Sequence, residues 1–154
     1  MMAAHTPGSL KRSRTTSWRF QQTFQTPLAD LDRFVATIFS EAEEIKSATV
    51  TIHKYAFEPT GLQSLVPQAS PALTLGHDVS LTAENREEVL ELLKLSFGNW
   101  VDFLFVPRPK PFVIYADHDE FATFFAASKS NLNRATGKLI GAGFEEVEGF
   151  QREV

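Results

Sequence analysis

From residue 18 the chain alternates. Trp18, Phe20 and Phe24 fall on one side and Arg19, Gln21, Thr23 and Gln25 on the other, the two-residue period of a half-buried strand. After Thr26-Pro27 the period lengthens: Leu28, Leu31, Phe34, Val35, Ile38, Phe39 and Ile45 recur at helical spacing and predict an amphipathic helix to about Lys46. Ala48 to Tyr55 is rich in β-branched residues and predicts a second strand, with Val50 and Ile52 opposite Thr49, Thr51, His53 and Tyr55. Residues 58–72 hold three prolines and a glycine and read as a long loop.

Alternation resumes at Leu73, Leu75, Val79 and Leu81, a strand with a bend at Gly76. Thr82 is placed to cap a helix carrying Glu84, Glu87 and Glu88 at its positive end and Val89, Leu92, Leu93 and Phe97 on its apolar stripe. Gly98-Asn99 stops that helix, Trp100 to Val106 reads as a strand, and Pro107-Arg108-Pro109-Lys110-Pro111 is a stiff turn in place of a docking peptide. Phe112 to Ala116 is a nearly continuous apolar run, as in a strand covered on both faces. Asp117-His118-Asp119-Glu120 then predicts the start of a long helix with Phe121, Phe124, Phe125, Leu132, Ala135 and Leu139 on its stripe and a break near Ser128 to Asn131. Gly141-Ala142-Gly143 ends it, and Phe144 to Phe150 reads as an acidic edge strand.

Strand, helix and strand thus occur three times. This order predicts an α+β fold: a ferredoxin-like split βαβ sheet (βαββαβ) extended by a third βαβ unit, with the helices on one face and the other face open. A doubly wound parallel sheet is the alternative, and the polar alternation of the first two strands favours the open-faced form. The division expected is a flexible basic tail over residues 1–16 and a single α+β domain over residues 17–154.

Charge sharpens that division. Of 15 Lys and Arg, four (Lys11, Arg12, Arg14 and Arg19) lie in residues 1–19, which hold no acid; 11 bases then face 19 acids, and residues 20–154 carry −8. An acidic body repels phosphate backbones, so nucleic acid is an expected partner only through the tail. That tail also has the composition of a targeting peptide, although solvated disorder accounts for it more simply. The chain has no cysteine, which excludes disulfides, thiolate nucleophiles and thiolate metal sites and suits a cytoplasmic location. No apolar run approaches the ~18 residues of a membrane span. Fourteen Phe against two Met point to a core of rigid aromatic rings.

No glycine-rich phosphate loop, Gly-x-Ser-x-Gly elbow or His-Glu-x-x-His pair occurs, and the aromatic signature of an RNA-binding sheet is absent. The catalytic candidates are therefore single residues: His118 as a base oriented by a carboxylate such as Asp117, or His53. Helix capping by Asp117 and Glu120 is the plainer account of the same cluster, and four consecutive residues cannot all converge on a metal. The candidate binding surface comprises Arg19, Gln21, His53, Tyr55, Trp100, Asp102 and Tyr115. Asp102, alone in an apolar run, wants a partner such as Arg19 or His53. Lys129, Asn133 and Arg134 read as a solvated helix face.

The expectation is a non-enzymatic interaction module that binds a protein partner, or itself as a homodimer, through an open sheet face. It requires no cofactor, no metal and no membrane. The alternative is a small-molecule binding protein or enzyme whose cleft is formed by His53, Tyr55, Tyr115 and His118.

Overall fold

The computed structural model describes residues 2–5, 18–40, 44–55, 79–109 and 111–152, with the backbone alone at 2–5, 54 and 55. The strands are β1 (Met2–His5), β2 (Phe20–Gln25), β3 (Ser47–Tyr55), β4 (Val79–Ala83), β5 (Val101–Arg108), β6 (Val113–Ala116) and β7 (Phe121–Ala126). The helices are α1 (Leu31–Ile38), α2 (Arg86–Gly98) and α3 (Lys129–Gly141), with one 3₁₀ turn at Leu28–Asp30 before α1. Every strand pair is antiparallel. Six strands make an open sheet in the order β4-β3-β5-β6-β7-β2, and the short β1 pairs outside β4.

The α+β class and the antiparallel sheet agree with the sequence pattern. The ferredoxin-like order does not. That order would seat β2 between β4 and β5, whereas β2 pairs with β7 at the far edge. The cause is the third unit, which is no βαβ. Asp117 to Glu120 forms a hairpin turn, and residues 121–126 are a strand, so β5, β6 and β7 run as a meander that fills the space toward β2. Phe121, Phe124 and Phe125 satisfy helical spacing, but a strand lets this segment bury both faces: Phe124 enters the main core and Phe125 enters a second cluster on the other side. The split βαβ survives in part, since β4 and β5, joined through α2, flank β3.

Other boundaries also move. Helix α1 ends after two turns, where the Arg86 guanidinium donates to the Phe39 carbonyl at the helix exit. Helix α2 is capped by Asn85, not Thr82: the Asn85 side chain accepts from Glu88 N at 2.9 Å, and Glu88 accepts from Glu84 N at 3.1 Å. The expected break at Ser128 is the start of α3, with Ser128 Oγ accepting from Asn131 N at 3.1 Å. The expected edge strand over Phe144 to Phe150 is reduced to one bridge, Phe24 with Glu146. Strand β5 runs through Pro107 to Arg108, and the Arg108–Pro109 peptide is cis. The expected loop at 58–72, the strand residues 73–78 and residues 6–17 of the basic segment lie outside the described residues.

All three helices pack on one sheet face. Helix α2 lies over β3, β4 and β5, α3 over β7 and β2, and α1 touches both of these helices. The core between is a chain of edge-on rings: Phe34 meets Phe97 at 5.5 Å and Phe144 at 5.0 Å between centroids, and Phe97 meets Phe103 at 5.3 Å. Such pairs add about 0.5–1.5 kcal/mol each beyond the area they bury.

The opposite face is not bare. One cross-strand row runs Thr23, Thr123, Tyr115, Leu104, Thr51 and Ser80, and all six are buried. Hydroxyl pairs tie the row, Thr23 with Thr123 at 2.8 Å and Thr51 with Ser80 at 2.9 Å, so these buried oxygens are satisfied. Leu104, Val113, Tyr115 and Phe125 form an apolar cluster there, against which Trp18 and Val106 pack.

Candidate functional site

The β6–β7 turn brings the polar groups together. The Asp117 amide donates to the Phe121 carbonyl at 3.1 Å, and Asp117 Oδ1 accepts from the amides of Asp119 at 3.0 Å and Phe121 at 3.2 Å. An aspartate that bonds its own backbone ahead of it closes a turn, so Asp117 nucleates a hairpin where a helix cap was expected. Glu120 takes φ +72°, and its carbonyl accepts from the Thr26 amide at 2.6 Å, which fixes the end of β2 beside the turn. Trp100, entering β5, has φ +56°. These are the two non-glycine residues at positive φ among the described residues, and both line the same small hollow. Each such conformation costs on the order of 1–3 kcal/mol and persists only where its surroundings impose it.

The β5–β6 register pairs Phe103 with Ala116 and so sets Asp102 beside the turn. Asp102 Oδ1 accepts from the His118 amide at 2.8 Å and meets His118 Nδ1 at 2.7 Å. The partner that the lone acid required is therefore His118, where the sequence pointed to Arg19 or His53. Its carboxylate only accepts, so Nδ1 carries the proton and Nε2 is the nitrogen left to act. Nε2 stands 3.6 Å from Asp119 Oδ1, an electrostatic contact beyond hydrogen-bond length. The hydrogen bond to Asp102 raises the His118 pKa above 6.5, burial works against it, and the charges of Asp102, Asp119 and Asp117 add to the rise.

A second cluster lies on the far side of Asp117. Arg152 Nη1 donates to Asp117 Oδ2 at 3.0 Å, Nε donates to Thr123 Oγ1 at 2.9 Å, and the guanidinium lies 4.7 Å from the Tyr115 ring centre. The Gln21 side chain brackets the Arg152 backbone, donating to its carbonyl at 3.1 Å and accepting from its amide at 2.7 Å. The side chains of Arg152 and Asp117 are 11% and 16% exposed, so this pair is screened far less than a surface pair.

Trp100 and His118 line the hollow, Asp102 holds His118 from the neighbouring strand, and Gln21 and Tyr115 meet under Arg152. Arg19 is exposed and lines a shallow groove with Lys129, Asn133 and Glu146. His53 occupies the irregular step in β3 between Ile52 and Lys54, and the Tyr55 side chain lies outside the described residues. Of the expected cleft, Tyr115 is buried beneath Arg152 and His118 stands in the β6–β7 turn.

The hollow is walled by Leu28, Phe97, Trp100, Val101, Phe103 and Ala116, with Thr26, Asp117, His118 and Glu120 as its polar members. It admits little more than one water-sized group, far short of the roughly 300 Å³ from which small-molecule pockets begin. Among the described residues, no three His, Asp or Glu side chains converge where a metal could sit, and no helix is long and apolar enough to cross a membrane. Sequence reasoning missed Thr26, Glu120 as a hollow-lining group, and Arg152. Arg152 had one signal: it is the sole base after Lys138, in a segment with Glu145, Glu146 and Glu148.

The site thus belongs to an α+β domain with an antiparallel sheet. No family model, curated protein or solved structure matches the chain.

Proposed function

We propose that the protein is a non-enzymatic interaction module, an acidic α+β domain that binds a basic protein partner. The observation that carries this reading is the distribution of exposed acids over nearly every part of the folded body. Asp32 is on α1, Glu87 and Glu91 on α2, Asp119 in the β6–β7 turn, and Glu145, Glu146 and Glu148 follow α3. Carboxylates spread in this way steer a cationic partner from long range, and they repel a second copy unless another surface joins the two. A homodimer joined across the sheet face is less well supported than a basic partner, because the central rows of that face are buried already. The small volume of the hollow weighs against enclosure of an organic substrate.

The test is native mass spectrometry and titration calorimetry of the full chain with a lysine decamer across a salt series. The expected result is a defined complex whose affinity falls steeply as salt rises. A chain that ignores the decamer, yet carries a stoichiometric small molecule through purification, would overturn the reading.

A second reading rests on the Asp102–His118 pair. An imidazole held by a carboxylate through Nδ1, with Nε2 outside that bond, is the arrangement of a general base, and it supports a small-ligand site or an enzyme of acid–base type. Its test is His118→Gln: loss of turnover or ligand binding with the fold intact supports it, and an unchanged ligand profile removes it.

A further inference from the structure

Strand β2 forms one edge of the sheet, and its outer side is covered over only part of its length. Residues 145–147 cover the second half: Gln25 N donates to the Glu145 carbonyl at 2.9 Å, and Val147 N donates to the Thr23 carbonyl at 2.8 Å. Backbone groups of alternate strand residues point the same way, so Gln21 turns its amide and carbonyl to this outer side as well. Among the described residues nothing bonds them there: the covering segment turns at Glu148-Gly149, and the Arg152 backbone bonds the Gln21 side chain instead.

An open groove of roughly 350 Å³ lies at this stretch, lined by Arg19, Gln21 and Gln22, by Lys129 and Asn133 of α3, and by Glu146. Arg33, Lys46, Lys94 and Arg152 are each paired with an acid, at 2.6 to 3.7 Å. The exposed side chains of Arg19 and Lys129 have no such pair among the described residues, although Glu146 lines the same groove. Lys129 is also the first residue of α3, whose opening turn holds no acid. A base at the positive end of a helix is held against the helix dipole, and an anion alongside offsets this. The strand edge selects the kind of anion. A phosphate backbone would meet the bases but leave the Gln21 amide and carbonyl without partners, and a body of −8 repels a long polyanion. An extended peptide serves both, since its main chain continues the sheet where residues 145–147 stop and its carboxylates meet the bases.

We infer that the outer edge of β2 at Gln21, with Arg19 and Lys129, is a docking groove for an extended acidic segment of a protein partner, added to the sheet as a further strand. This site goes beyond the basic-partner reading and does not depend on it, because that reading rests on acids elsewhere on the body. The occupant follows from charge complementarity and from the unpaired strand edge together.

The experiment records amide NMR shifts of the full chain in about 150 mM salt, where the field of the acidic body is screened beyond about 8 Å. The probe is a blocked hexapeptide with threonines on either side of two central glutamates; adjacent side chains of a strand point to opposite faces, so it offers a carboxylate on each. It should give saturable shifts at Arg19 to Gln22, Lys129 and Asn133, with the Gln21 amide proton moving downfield as it gains a hydrogen bond. Arg19→Gln and Lys129→Gln should each weaken the peptide about two- to fivefold, and together about tenfold. Methylating alternate peptide nitrogens tests the added strand: one of the two registers should bind as before, and the other should be lost. Absence of saturable shifts at the groove, a doubly substituted chain that binds unchanged, or two methylated registers that bind alike would each overturn the proposal. So would a thymidylate decamer that gives the same shifts more tightly, which would assign the groove to a phosphate backbone.

Discussion

Replacing Arg152 by Ala removes a guanidinium that holds three elements at once: Asp117 in the β6–β7 turn, Thr123 on β7 and the Tyr115 ring on β6. The backbone bonds to Gln21 survive the change, so the loss is confined to the side chain. A largely buried charge-assisted bond to Asp117 is worth about 1.5–3 kcal/mol, the bond to Thr123 about 1, and the ring contact about 0.5–1. Freeing the side chain returns about 1.5–2 kcal/mol of rotamer entropy. The net expectation is a loss of about 2–3 kcal/mol in urea unfolding, or about 4–12 °C in Tm for a chain of this size. Arg152→Lys keeps the charge but not the fork that reaches Asp117 and Thr123 together, so it should recover less than half. Combined with Asp117→Asn, the double mutant should cost less than the sum of the single changes, with a coupling of about 1–2 kcal/mol. A cost below about 0.5 kcal/mol for Arg152→Ala would show that this network orders the segment without stabilising the fold, and full recovery by Lys would show that the charge alone, not the fork, carries the effect.

Three further outcomes are expected. Because the folded His118 pKa stands above 6.5, the stability contributed by its pairing with Asp102 is fully present below about pH 6.5 and is lost as pH rises through the folded value; urea unfolding at pH 5.5 and 8.5 should show a drop that Asp102→Asn sharply reduces, and an equal drop in that variant would refute the assignment. Asn85→Ala removes the cap of α2 and should cost about 1 kcal/mol by the same assay, with Asn85→Asp close to the parent; no difference between Ala and Asp would deny the cap. Phe34→Ala opens the centre of the ring chain between Phe97 and Phe144 and should cost about 3–5 kcal/mol, whereas Phe34→Leu should lose markedly less.

Strands β2 and β3 and the first two helices were legible because apolar residues line one face of each and polar residues the other. Strand β7 was not, since both of its faces are covered and Phe121, Phe124 and Phe125 then suit either period; only the demand for an apolar side chain on each face separates the two. The strand order was equally hidden: β2 finds β7 through pairings such as Phe24 with Ala122, which no local pattern announces. At the site, both halves of the dyad were visible separately, His118 in a charged cluster and Asp102 as the one acid in an apolar run. Their meeting depends on the β5–β6 register, and that register depends on a turn that reads as a helix start. The seat of Arg152 was hidden for the same reason: its hydrogen-bonding side-chain partners lie 29 to 35 residues earlier, and it exists only once β6, β7 and β2 lie side by side.

The pairing of β2 with β7 also fixes an order of events during synthesis. Thr23 and Thr123, bonded across that seam, are 100 residues apart, and at ribosomal rates the second follows the first by about 5–20 s. Throughout that interval Phe20 and Phe24 have left the ribosome with no strand to lie against. The sheet can assemble from β3 outward through β4, β5 and β6 while β2 waits, so the earliest of the six main strands to be made is the last to be placed. Closure by so distant a contact puts the domain among slow-folding topologies, in the millisecond-to-second range.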